Sequence, residues 1–337
     1  MKTASIHHLP LMTLALAGCR DDPTGTPRAA TSSPIASRHE ADDPPRFSGW
    51  STPVNLGLPV NTSFIQQGVS ISKNGLSLYF QCGNCPGNIG GADIFVSQRA
   101  SVGDPWGPPQ PLGPTINTVA NEQAPRQSRD GHRLFFNSDR PNGFGGHDLH
   151  VARRRDTHDD FAWEPAVNLG AGVNTIMDDL QADPFEDDQA GTDILYFASG
   201  PGGSGGTDIY ASVLLPDGTY APRALVPELN SSSIDRTPSI RRDGLEMFLA
   251  SDRPGTLGAI DLWVATRAKT SDPWSAPVNL GPVVNTTQIE ARPALPFDGT
   301  TLYFQSTCPG AVVCASDATS CVFDLWVTTR SKLKGPD

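Results

Sequence analysis

Residues Gln66, Glu122, Asp179, Asp235 and Glu290 follow one another at intervals of 55–57 residues, and each stands five residues after an asparagine. Four of the five are acidic. If the copies close into a ring, Glu122, Asp179, Asp235 and Glu290 stand around the mouth of a central channel. Carboxylates placed so would bind a cation or a basic group. Two of them facing each other could also form the acid/base pair of glycoside hydrolysis, which needs carboxyls about 5–5.5 Å apart for retention or about 6.5–9.5 Å for inversion. Two arguments weigh against chemistry. Catalytic residues break the symmetry of a repeat, whereas these recur with it. And each carboxylate has an arginine at hand, with Arg140, Arg253, Arg236 and Arg292 as the candidates, so the ring reads equally as a set of internal ion pairs.

The remaining polar motifs are weaker. Asp183-Pro184-Phe185-Glu186-Asp187-Asp188 lacks the D-x-D-x-D-G spacing of a calcium loop and reads as a solvated hairpin loop. The glycine run Gly200–Gly206 carries neither the Lys-Ser/Thr nor the helix of a phosphate loop. Ser128–Gly131 only partly resembles a sialidase Asp box, and the Asn-x-Ser/Thr sequons at Asn61, Asn230 and Asn285 are better explained by a repeated turn. His147 and His150 flank Asp148, but no further metal ligands accompany them, so they read as surface histidines.

The elements that position these residues are copies of one unit. Trp50, Trp106, Trp163, Tyr220 and Trp274 recur at intervals of 54–57 residues. After each come a short turn, an Asn (Asn61, Asn117, Asn174, Asn230, Asn285) and an aromatic strand such as Leu78-Tyr79-Phe80 or Leu302-Tyr303-Phe304. A Gly-rich turn then leads to an Asp that opens another strand (Asp93, Asp148, Asp208, Asp261, Asp324). Asn74-Gly75, Asp130-Gly131, Asp243-Gly244 and Asp298-Gly299 supply the positive-φ positions of tight hairpins. One unit therefore holds four short strands, the last around the Trp. It cannot bury both of its faces alone, and radial stacking solves that problem. The expectation is an all-β, five-bladed β-propeller of four-stranded blades over residues 47–331. The Trp50 segment precedes the first unit and the last unit lacks a Trp strand, so the N-terminal strand completes the last blade and closes the ring.

Asp130 to Leu149 reads Asp-Gly-x-x-Leu-Phe-Phe-x-Ser-Asp-Arg-Pro-x-Gly-x-Gly-Gly-x-Asp-Leu, with a near-copy from Asp243 to Val264. This pattern resembles the WD40-like PD40 repeat of TolB-type propellers and bacterial envelope lipoproteins. Blades one, three and five depart from it, and the six blades and N-terminal domain of TolB itself are not matched. The resemblance implies a non-catalytic binding or protein-interaction module for an envelope protein, peptide or glycan. The alternative is a carbohydrate-active enzyme using channel carboxylates.

The N-terminus carries an address. A Lys, an apolar stretch over residues 9–17 and Leu16-Ala17-Gly18-Cys19 resemble a lipoprotein signal peptide over residues 1–18, with Cys19 as the lipidated residue. Arg20 in place of an acidic residue favours the outer membrane. Residues 19–46 are poor in large apolar groups and read as a flexible tether with a reach of ~28 Å; residues 332–337 read as a disordered tail. An exported chain oxidises its cysteines. Cys314 with Cys321 would staple an insertion, and Cys82 can pair with Cys85, or one of the two with Cys308 across the seam of the ring. A zinc site is the competing use of these thiols.

Composition sets the outer bounds. The chain of 337 residues has a net charge of −11, which excludes a basic nucleic-acid face. Its 33 Gly and 31 Pro exclude a helical bundle. No cofactor is implied beyond a cation in the channel, and the expected state is a monomer.

Overall fold

In the computed structural model, residues 46–202, 206–307 and 322–334 are described. Among them, five antiparallel sheets of four strands make five blades of a β-propeller. Blades one to four are continuous in sequence. In blade five the outer strand is Val54–Asn55, which pairs with Asp324–Thr329 through Val54↔Val327 and Asn55↔Trp326. The ring is thus closed by the N-terminal strand, as its repeat phase requires. The ends go further than expected. Lys332–Leu333 pairs with Arg46–Phe47, so the start of the expected tail and the end of the expected tether form a two-stranded ribbon.

The innermost strands are Ile65–Ile71, Glu122–Gln127, Asp178–Asp187, Asp235–Ile240 and Glu290–Ala294. The aromatic strands come second, and both of their faces are buried between neighbouring blades. Tyr79, Leu134, Phe136 and Trp163 form one interblade core, and Phe248, Leu302, Phe304 and Trp326 another. The outer strands are only two residues long and begin four residues after each tryptophan or tyrosine, not on it. The tryptophans serve another purpose. Arg99, Arg154, Arg267 and Arg330, each just past a third strand, lie over Trp106, Trp163, Trp274 and Trp50 at 4.1–4.5 Å. Each of these arginines also donates from Nε to the carbonyl of a hairpin glycine, Gly75, Gly131, Gly244 or Gly299. Cation–π contact and hydrogen bond together lock turn to blade.

The repeated asparagines are the clamps between blades. Asn61 accepts from the Leu325 N–H and donates to its C=O, both at 2.9 Å, as a neighbouring strand would. Asn117, Asn174, Asn230 and Asn285 do the same to Ile94, Leu149, Ile209 and Leu262. The repeated Asp at the head of the third strand collects the amides of the Gly turn. Asp93 accepts from Ile89 and Gly90, and Asp261 from Leu257 and Gly258.

Every inner strand carries a β-bulge at the same place, between Gln67 and Ser70 in blade one and at the matching positions of the others. The bulged residues Gly68, Ala124, Gln181, Thr237 and Arg292 all have φ of 51–57°. Four are not glycine, a strain of roughly 1–3 kcal/mol each that the closed ring sustains. The bulges turn the strands around the channel and re-aim their side chains.

Candidate functional site

The ring of repeated acids does not open into the channel. The side chains of Glu122, Asp179 and Asp235 are wholly buried, and each carboxylate is engaged within the propeller. Glu122 accepts from the Thr118 N–H and hydroxyl, both at 2.7 Å, from Ser138 Oγ and from Arg140. Asp179 accepts from Thr175, Ser199 and Arg223, and Asp235 from Ser231 and Arg253. Glu290 accepts from Thr286 and Ser306. Gln66 closes the same turn onto Thr62 with its amide, which is why a neutral residue serves in blade one. The motif Asn-Thr/Ser-x-x-x-Glu/Asp/Gln is therefore a turn lock. Burial pushes the Asp179 carboxyl upward against the bonds from Ser199, Thr175 and Arg223. Among the described residues no group of three or more His, Cys, Asp or Glu is placed to hold a metal ion. The oxygens a cation ring would use accept here from Thr, Ser and Arg, as the ion-pair reading of the ring expects.

Of the expected arginine partners, Arg140 and Arg253 hold carboxylates of the ring. Arg223 takes that role in blade three, where the Arg of the repeat is missing. Arg236 and Arg292 pair with none of the ring acids; both lie on inner strands, one next to the bulge and one at it. Burial and the neighbouring charge of Arg236 push the Arg292 guanidinium down to about 9. Among the described residues neither arginine has a salt bridge.

His150 is not on the surface. It is buried against Phe136, and burial followed by the charge of Arg140 lowers it to about 4. His147 bonds Asp178. Cys82 is bridged to Cys85. Cys19, Cys308, Cys314 and Cys321 lie outside the described residues, as do the signal segment, most of the tether and part of the glycine run.

The acidic segment of blade three is the main difference from expectation. Asp183–Asp187 is not a solvated loop but the end of the ten-residue inner strand, paired with Thr192–Tyr196. Twelve residues separate the turn-locking residue from the aromatic strand in four blades, and sixteen in this one. The insertion extends the hairpin beyond its neighbours. It brings Asp183 to Arg126, with 3.3 Å between Arg126 Nε and the carboxylate, and to the Ile240 N–H at 2.7 Å. Arg126 continues across the ring, donating to the carbonyls of Val69 and Pro293. Matching positions hold Ser70, Arg126, Ser239 and Ala294, so Asp183 has no counterpart.

Beside it a groove of about 400 Å³ runs between the hairpins of blades three, four and five. Phe185, Glu186 and Asp188 form one wall, Arg242 and Asp243 the other, and Phe297 lies along it. A cavity of about 60 Å³ joins Asp183 and Glu186 beneath. Desolvation raises the Glu186 carboxyl, as do Asp130 and Asp193, with Arg133 opposing. Desolvation likewise raises Asp183 against Arg126. Two unique carboxyls, both shifted upward by burial, thus sit together at one end of the channel. The lengthened spacing in blade three was the sequence signal for them.

No family model and no curated protein sequence matches this chain. Solved structures do. An alpha-L-arabinofuranosidase from Lactobacillus brevis superposes with a TM-score of 0.57 at 16% identity, covering 81% of this chain and 92% of that one. The catalytic domain of a Coprinopsis cinerea GH62 alpha-L-arabinofuranosidase gives 0.56 at 12%, covering 84% and 97%. An endo-arabinase from Bacteroides thetaiotaomicron gives 0.53 at 16%, covering 86% and 99%. At such identities the likeness establishes the five-bladed fold. It also corrects the PD40 and TolB-like resemblance, since the similar structures are glycoside hydrolase propellers. The expectation of a non-catalytic binding module rested on that resemblance and goes with it.

Proposed function

We propose that the chain is a carbohydrate-active enzyme that cleaves glycosidic bonds in the groove between blades three, four and five. The observation that carries this is the pair Asp183 and Glu186. They break the symmetry of the repeat, they stand where the inner strand leaves the channel, and burial shifts both carboxyls upward, the direction a general acid needs. The glycosidic activity of the similar propellers supports the reading. Glu186, half-buried in the groove wall, protonates the leaving oxygen. Asp243, on the facing wall and ion-paired with Arg241 at 2.7 Å, activates the water. Asp183 positions Arg126 and adds its field beneath Glu186. Phe297 offers an apolar face to a sugar ring, and Arg242 offers donors to its hydroxyls. The groove volume suits a short stretch of glycan.

The test is a panel of aryl glycosides and plant and bacterial polysaccharides. Turnover should appear on at least one, and Glu186→Gln should lower kcat by about 10²–10⁴ while the variant keeps its melting temperature. Absence of turnover across the panel, or turnover unchanged in Glu186→Gln, would sink the assignment. We further propose export and anchoring through Cys19, supported by the Leu-Ala-Gly-Cys segment and by the Cys82–Cys85 bridge. Radiolabelled palmitate should label the wild type and not Cys19→Ala; equal labelling would refute the anchor.

A further inference from the structure

We infer that the substrate is an uncharged glycan chain too long for one groove, which crosses the blade-five hairpin into a second groove between blades five and one. The inference rests on the glycan-cleaving reading above and adds the class of substrate to it. The second groove holds about 380 Å³, close to the first, and the two share Phe297 and Asp298. They are successive stretches of one surface that meet at the tip of the blade-five hairpin.

The second groove is open for a reason visible in the chain. Trp163 follows Arg154 by nine residues in blade two, whereas Trp106 follows Arg99 by seven in blade one. The longer loop of blade two carries Asp160 onto blade one, where it accepts from Ser77, Tyr79 and Gln98 and fills the ground beside Tyr79. The shorter loop of blade one places no such residue on blade five; its one acid, Asp104, is exposed. Tyr303, which stands in blade five where Tyr79 stands in blade one, bonds Arg99 instead. The space beside Tyr303 and Arg99 is the second groove.

Phe297 marks the crossing. Four blades have an Asn-Gly or Asp-Gly hairpin, and the residue before that pair is Lys73, Arg129 and Arg242 in three of them but Phe297 in blade five. Phe297 therefore breaks the repeat, as Asp183 and Glu186 do. It is half-buried, between two grooves rich in hydrogen-bonding side chains. A sugar ring fits such a place, since its C–H face packs on the aromatic ring while its hydroxyls reach the groove walls. Past Phe297 the second groove offers Thr301, Thr329 and the exposed Lys73. Among the described residues, five acidic and five basic side chains line the two grooves together, with Asp298 counted once. That balance favours an uncharged polymer over one bearing uronate or sulfate.

The test is calorimetric titration of the full chain carrying Glu186→Gln with arabino-, xylo- and gluco-oligosaccharides, from disaccharide to hexasaccharide. In at least one series the hexasaccharide should bind about tenfold or more tighter than the disaccharide, the gain of one stacked unit and its hydrogen bonds. Val102→Trp, at an exposed position on the wall of the second groove, should remove that gain, and so should Phe297→Ala. Melting curves confirm that each variant is folded, and either one suffices for the comparison. Affinity independent of length, or a gain that survives in the folded variants, would overturn the inference. Turnover of short glycosides without any gain for longer chains would sink this inference alone and leave the proposed activity standing. Absence of both turnover and binding would sink the two together.

Discussion

Replacing Asn61 by Ala tests whether the repeated asparagines, and not the aromatic cores alone, hold the ring shut. Asn61 is fully buried and clamps Leu325 of blade five from the entry to blade one. Truncation removes a donor and an acceptor from the Leu325 peptide groups. It also takes a 2.7 Å bond from Asn55, whose carbonyl oxygen still receives the Gly57 N–H. Leaving one buried N–H and one buried C=O unmatched costs about 1–3 kcal/mol each, so the expected loss is ~2–6 kcal/mol. The Ala cavity adds a little more. Asn61→Asp should recover part of this, since a carboxylate still accepts from the Leu325 N–H but cannot donate to its C=O. The assay is urea unfolding followed by tryptophan fluorescence, with the midpoint converted at the measured m value. Trp50 and Trp326 flank the seam and report it directly. An Asn61→Ala midpoint equivalent to less than ~0.5 kcal/mol of change, with m unaltered, would refute the clamp and assign closure to hydrophobic packing.

Other consequences are as direct. Burial works to raise the Asp160 carboxyl, but bonds from Ser77, Tyr79, Arg154 and Gln98 hold it below the ordinary range. Its contribution to stability is therefore present above the unfolded carboxylate value of about 3.9 and is lost as pH falls through the lower folded one. Asp160→Asn should cost ~3–5 kcal/mol, by breaking a buried pair with Arg154, and flatten the acid limb of the stability curve; an unchanged limb would contradict it. Glu186 shifts the opposite way, so the acid it supplies survives to higher pH than an ordinary carboxyl. Turnover should then decline as pH rises through that raised value, and an alkaline limb at the ordinary glutamate pKa would argue against Glu186. Gly258→Ala should destabilise by several kcal/mol on thermal melting, because a Cβ there runs into the Gln288 and Thr286 carbonyls. Deleting residues 46–56 should leave an open edge on blade five, and light scattering should show association that the intact chain lacks.

The repeat was open to reading in one dimension because each of its residues acts within one unit or on the next. The Asp-Gly turns, the paired aromatics and the phase of the tryptophans are local requirements of a blade. The seam between Val54 and Val327 follows from their count alone. What the repeated residues do was less accessible. An asparagine that mimics a strand, and an arginine that rests on a tryptophan while holding a glycine carbonyl, act on groups that neither stand beside them in sequence nor vary with them. The four repeated acids illustrate the limit most clearly. Their spacing was visible, but only packing decided that Thr118, Ser138 and Arg140 would consume Glu122, and likewise around the ring. The acidic hairpin of blade three ran the other way. Its composition suggested solvent, yet pairing with Thr192–Tyr196 drew it into sheet and set Asp183 and Glu186 at the channel end. By itself the sequence determined the number of blades, their order and their closure, since these depend on periodicity and on the geometry of turns. The tertiary structure alone decided which charges are spent inside the blades and which face the channel and groove. Burial and opposing charge are properties of where a side chain ends, not of where it begins in the chain.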